Sequence, residues 1–66
     1  MAVARVSEIR ASSTEGFREA VLEGLNRAKK TLRGISGIEV TQKRVKVKDG
    51  KLVEYRVDMK LIFILE

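Results

Sequence analysis

From Val53 to Leu65 an apolar residue falls on every second position: Val53, Tyr55, Val57, Met59, Leu61, Phe63 and Leu65. That period of two marks a strand with one face on a core. The stretch from Lys51 to Glu66 therefore reads as one long strand. Its other face begins polar, with Glu54, Arg56, Asp58 and Lys60, and turns apolar at Ile62 and Ile64. The final third is apolar on both sides. A chain of 66 residues has one helix to cover one face. The second apolar face calls for another chain, so the pattern argues for an oligomer before any family is considered.

The same length predicts a single domain over residues 1–66. Cores this small supply little net stability and are usually stapled by disulfides, metal or self-association. There is no Cys and no His. Disulfides and the commonest zinc ligands are thereby excluded. Oligomerisation is the staple that remains, with an oxygen-ligated ion such as calcium second. No secretory signal or membrane-length apolar run is visible, so the expectation is a soluble, cytoplasmic protein without membrane contact. Absence of Cys agrees with a reducing compartment. The net charge of +5 suits nucleic acid, phosphate-bearing ligands or simple solubility, since 35% of residues are charged.

Upstream, Val3 to Ala11 reads as a first strand. Val3, Val6 and Ile9 share no clean period of two, which suggests a bulge or burial on both faces. Ser12-Ser13-Thr14 is a helix-start signal with Ser13 as N-cap, and Glu15 suits the first turn. The helix is expected from Thr14 to about Arg33. Phe17, Val21, Leu25, Ala28 and Leu32 form its apolar stripe, flanked by Ala20 and Gly24. Acidic residues precede basic ones along it, and Glu23 with Arg27 makes a favourable i,i+4 pair. Gly34 is the expected C′ residue. Gly24 costs about 1 kcal/mol relative to Ala in mid-helix, which is either drift or a sign that another backbone approaches closely. Leu22 lies off the stripe, as a lone exposed residue or a subunit contact.

Ile35 to Gly37 reads as a connection and Ile38 to Lys48 as the second strand. Asp49-Gly50 is a type I′ hairpin turn. Ile38 and Val40 are even-numbered while Val45 and Val47 are odd, so a bulge near Gln42 to Arg44 is expected. The order is β-α-β-β. The long third strand is expected at the centre of an antiparallel three-stranded curved sheet wrapped around one helix, an α+β fold.

This layout resembles the dodecin family. The residues that carry the resemblance are Ala11-Ser12-Ser13-Thr14-Glu15-Gly16-Phe17, Arg27-Ala28-Lys29-Lys30-Thr31-Leu32-Arg33, Glu54-Tyr55-Arg56-Val57 and Phe63-Ile64-Leu65-Glu66. Each motif alone is weak, but their order and spacing together are fairly specific. The resemblance implies a hollow homo-dodecamer that stores riboflavin, FMN or a related flavin in pockets between subunits. A Trp after the helix would stack on the flavin ring, and a Gln in the last strand would bond its edge. This chain is divergent at both places. Gly37 stands at the Trp position and the chain has no Trp; Arg56 stands at the Gln position. A guanidinium only donates, where an amide both donates and accepts. Flavin binding is therefore expected to be weak or lost. Some dodecin-like proteins are described as binding calcium instead.

An enzyme is the class the residues support least. Ser12 and Ser13 are explained as cap residues, and no triad, phosphate loop or acid–base pair is present. The favoured reading is a non-enzymatic binding or storage shell. Its ligand would lie at subunit interfaces near Gly37, Arg44 and Arg56, where the two guanidiniums suit a small anion. Alternatively, both Arg residues pair with Glu39, Glu54 or Asp58 across the hairpin. A calcium shell would draw on Glu8, Glu39, Glu54 or Asp58 from several chains. A nucleic-acid module would use Lys43, Arg44, Lys46, Lys48 and Lys51, but Tyr55 and Phe63 belong to the apolar face and leave no stacking platform.

Overall fold

The computed structural model describes residues 3–65. The elements are β1 (Val3–Ser13), α1 (Phe17–Ala28), β2 (Ile35–Lys48) and β3 (Lys51–Leu65). Glu66, read from the sequence as the end of the third strand, lies outside the described residues, as does the Leu65 side chain. The three strands form one antiparallel sheet in the order β1-β3-β2. The longest strand, β3, is central. The helix packs against β1 and β3.

The alternation of β3 decides which face the helix covers. Val57, Met59 and Leu61 are fully buried and Phe63 nearly so. Complete burial of such a side chain is worth about 1.5–3 kcal/mol. Ile9, Ala11, Phe17, Val21, Leu32, Ile35 and Ile38 pack around them. No register shift interrupts β1 against β3, so the irregular spacing of Val3, Val6 and Ile9 does not come from a bulge. Val6 pairs with Ile62 on the face away from the helix and is half exposed. Ile9 pairs with Met59 and joins the core.

The helix is shorter than expected and begins later. Ser13 is the last residue of β1, paired with Tyr55, and is not a helix cap. Its Oγ instead accepts the Glu15 N–H at 3.0 Å, which closes the turn leaving the strand. Gly16 takes the N-cap position in an extended conformation, without a side-chain cap bond. At the other end, Lys30 N–H donates to the Arg27 carbonyl and Thr31 N–H to the Ala28 carbonyl. These i→i−3 bonds tighten the chain into a turn well before Arg33. Gly34 thus serves the chain reversal into β2 rather than the helix end, and its φ of 73° explains the residue.

The most buried helical positions are Ala20, Gly24 and Ala28, four residues apart. The larger Phe17, Val21 and Leu32 line the margins, and Leu25 is half-buried. Small residues let the helix settle close to the sheet. A Cβ at Gly24 would lie 2.6 Å from Met59 Cε, 3.1 Å from Ala11 Cβ and 3.2 Å from Ile9 Cδ1. The neighbours that require glycine are therefore side chains of β3 and β1, and not a second backbone.

β2 starts at Ile35, so the expected connection at Ile35 to Gly37 is already strand. Its register slips between Ile35 and Gly37 and again between Val40 and Gln42. The second slip leaves Thr41 as the extra residue, one position before the expected bulge. It moves the core-facing set from Ile38 and Val40 to Lys43 and Val45, opposite Val57 and Tyr55. A third slip lies between Lys46 and Val47. At the hairpin Asp49 and Gly50 have φ of 52° and 74°, as a type I′ turn requires.

Candidate functional site

The sheet face away from the helix carries the even-numbered residues of β3. Register places Arg10 and Gln42 on either side of Asp58, and Ser12 and Arg44 on either side of Arg56. Arg44 and Arg56 are direct cross-strand partners. Like charges directly opposite repel, and chain carboxylates offset them here. Asp58 Oδ1 lies 3.3 Å from Arg10 Nε and Asp58 Oδ2 lies 3.7 Å from Arg44 Nη2. Arg44 also donates to Gln42 Oε1 at 2.7 Å. Arg56 Nε donates to Glu54 on its own strand. The ion pairs weighed from the sequence are thus present for both Arg residues. That of Arg44 crosses the hairpin to Asp58, that of Arg56 stays within β3, and Glu39 joins neither.

These groups border an open cleft of about 750 Å³. Arg10, Arg44 and Arg56 line it from the sheet and Arg27 from the helix, with Glu54 and Asp58 among its carboxylates. Arg27 is itself paired with Glu23 at 3.2 Å. Charged side chains in such a cleft exchange partners at modest cost, because exposed ion pairs are individually weak. The arrangement suits an anion with several acceptor oxygens.

Gly37 does not share this cleft. It pairs with Ile62, whereas Arg44 pairs with Arg56, six residues earlier on β3. At about 3.3 Å per residue that is roughly 20 Å along the strand. Within one chain the structure brings Arg44 and Arg56 together and leaves Gly37 apart. Around Gly37 the outer face is apolar: Val6 and Ile64 are exposed and Ile62 is half-buried. A Cβ at Gly37 would meet only Ile62 Cβ and Cδ1 at 3.8 Å, an ordinary contact. The backbone therefore does not demand glycine there.

A flavin ring would find no stacking side chain at Gly37. Two aromatic rings near the cleft end of the sheet pack on each other instead. Phe17 and Tyr55 stand edge to face with centroids 5.2 Å apart, on the helix side. Lys43 Nζ lies 5.4 Å from the Phe17 centroid, which removes one cation from the basic hairpin surface. Among the described residues no group of three or more His, Cys, Asp or Glu is placed to hold a metal ion.

The sequence reading missed Arg10 and Arg27. Arg10 becomes visible only once β1 is in register with β3, because the uneven apolar spacing of β1 hides its phase. Arg27 was read as the partner of Glu23, and its place beside the sheet follows from the helix position.

A model of the dodecin family matches residues 3–66. The solved dodecin of Streptomyces coelicolor is 38% identical with a TM-score of 0.91, over 98% of this chain and 93% of that one. An arginine-to-alanine variant of T. thermophilus dodecin is 32% identical with a TM-score of 0.93, over 100% and 98% of the two chains. A protein of Mycobacterium tuberculosis, described as a calcium-chelating calcium dodecin, is 22% identical with a TM-score of 0.81, over 97% and 91%. At that identity the likeness is one of fold. No curated protein sequence matches significantly.

Proposed function

The chain belongs to the dodecin family, and from that premise we propose that it forms a non-enzymatic dodecameric shell that binds a small anionic ligand between subunits. Flavin binding in this shell is weak or lost. The observation that carries the reading is the division of the outer sheet face. Arg44 and Arg56 stand opposite each other at one end, and at the other Val6 and Ile64 are exposed beside a half-buried Ile62. The apolar end supports burial against further copies. The cationic end supports an anionic ligand, and Gly37 argues against a stacked ring. A second chain laid on this face can bring its Gly37 region towards Arg44 and Arg56, which one chain alone keeps apart.

Lack of His and Cys supports a binding role over catalysis. Among the described residues no helix is long and apolar enough to cross a membrane; we place the shell in the cytoplasm as an inference from composition. A calcium shell has weaker support, because its carboxylates would have to come from several chains. Nucleic-acid binding has weaker support too, because among the described residues the sheet offers no exposed aromatic platform.

The test is a ligand screen on the purified protein. Its absorption spectrum and a fluorescence titration with riboflavin report on flavin. Thermal shifts with nucleotides and phosphorylated cofactors report on anions. The reading expects a colourless protein that anions stabilise, with salt weakening the effect. A yellow protein that binds riboflavin below micromolar concentration, or one that no anion stabilises, contradicts it.

A further inference from the structure

The central charged residue of the outer face is Asp58. Its side chain is 20% exposed, against 77% for Arg10 and 51% for Arg44. Its two oxygens serve two guanidiniums from different strands, one on β1 and one on β2. Its backbone is fixed between both neighbours, and its carbonyl accepts the Thr41 hydroxyl at 3.1 Å. Asp58 is thus held in place, while the longer Arg side chains are free to swing. Arg56, facing Arg44, takes its counter-charge from Glu54. The three guanidiniums Arg10, Arg44 and Arg56 are thus offset in part by two carboxylates, Asp58 and Glu54.

We infer that Asp58 is a built-in counter-anion that the ligand must outcompete, and that the group which does so is a phosphate monoester dianion. This rests on the anionic-ligand reading given above. A monocarboxylate replaces Asp58 charge for charge and gains nothing, because Asp58 is tethered and loses no freedom on binding. A phosphate carries close to two charges and three strong acceptor oxygens. It can bridge Arg44 and Arg56 while Asp58 keeps Arg10. Asp58 therefore sets selectivity by charge number, rejecting carboxylates and admitting phosphates. The residue acts by positioning and screening the guanidiniums, and its removal should change selectivity as well as affinity.

The experiment is calorimetric titration of the assembled protein with inorganic phosphate and with acetate, at low ionic strength. Wild type, Asp58→Asn, Arg44→Gln and the double variant are compared, with circular dichroism and particle size confirming the fold. Asp58→Ser provides a second way of removing the charge if Asp58→Asn does not assemble. Freeing two exposed ion pairs should tighten phosphate binding about tenfold. The preference for phosphate over acetate should shrink, and the gain should vanish in the double variant. Phosphate binding only after Asp58 is neutralised would show that phosphate does not outcompete Asp58, and would overturn the inference together with the anionic-ligand reading for the wild type. Equal phosphate affinity in wild type and both Asp58 variants would overturn the inference and leave that reading standing. Absence of phosphate binding in every variant would overturn both.

Discussion

The two ends of the outer sheet face belong to the same three strands, yet they meet solvent in opposite ways. Near Asp58 every charged group named above has a partner within the chain: Arg10 and Arg44 on Asp58, Arg56 on Glu54. Near Ile62 the aliphatic side chains have one another but no cover, and Val6 and Ile64 are 52% and 45% exposed. Polar residues on a sheet can satisfy one another locally or turn to water. Aliphatic residues can be satisfied only by cover, and this chain's one helix is spent on the other face. The charged end is therefore self-sufficient in a single chain, and the apolar end is incomplete without another copy.

The largest expected effect comes from spoiling the apolar end. Ile62→Lys combined with Ile64→Lys places two cations where a neighbouring chain should pack, and a buried unpaired charge is strongly destabilising. We expect loss of assembly, read as a collapse of particle mass in analytical ultracentrifugation. Arg56→Gln, at the charged end, should leave the particle mass unchanged. If the isoleucine variant keeps its full mass, the apolar end is not an interface.

The helix-covered face supplies a reference for how closely this fold packs where cover exists. Gly24→Leu should destabilise the protein by about 1–3 kcal/mol through overpacking, measured by chemical denaturation. The added atoms would collide with Met59 and Ala11. An unchanged denaturation midpoint would mean that the helix rests more loosely on the sheet than these contacts indicate.

Ligand preference sharpens the contrast in another way. Gly37→Trp with Arg56→Gln adds a ring at the apolar end and a neutral amide at the charged end. Ring stacking is worth roughly 1–3 kcal/mol, so riboflavin affinity should rise about tenfold or more. Fluorescence titration measures this. The 3.8 Å spacing to Ile62 makes room for the start of the new side chain. No gain would place the two positions in different pockets of the assembled protein.

Much of this was legible in the sequence, and the misses have physical causes. The alternation in β3 marked its buried face, because a period of two puts one apolar set under the helix, and its length and apolarity pointed to its central place. The phase change between Val40 and Val45 announced a bulge within one residue of Thr41. The Asp49-Gly50 turn was plain, since both positions need positive φ. The helix start was misplaced because Ser13 can serve either a cap or a strand-end turn, and pairing with Tyr55 decides for the turn. Its end was misplaced because apolar periodicity runs on through Leu32 after the helix has tightened into a turn. At the site, Arg44 and Arg56 were legible as charges and the Arg56–Glu54 pair follows from their spacing on one strand, but the pairing of Arg44 with Asp58 depends on register. Gly37 was legible as a departure from a family pattern, yet its distance from Arg56 emerges only from strand pairing.

The smallest expected effect is on stability at the charged end. Arg56 and Glu54 are 53% and 31% exposed, so solvent screens their pair. Arg56→Gln should shift unfolding free energy by less than about 1 kcal/mol. A loss of several kcal/mol in denaturant titration would show that the assembled protein buries this pair, and that the charged end is not self-sufficient.

The most direct test of the central claim, that the apolar end of the outer face is covered by further copies, is the mass of the purified protein in solution. Light scattering at micromolar concentration should give a single species of twelve times the chain mass, with no folded monomer on dilution. A well-folded monomer of 7.4 kDa under those conditions would contradict the account.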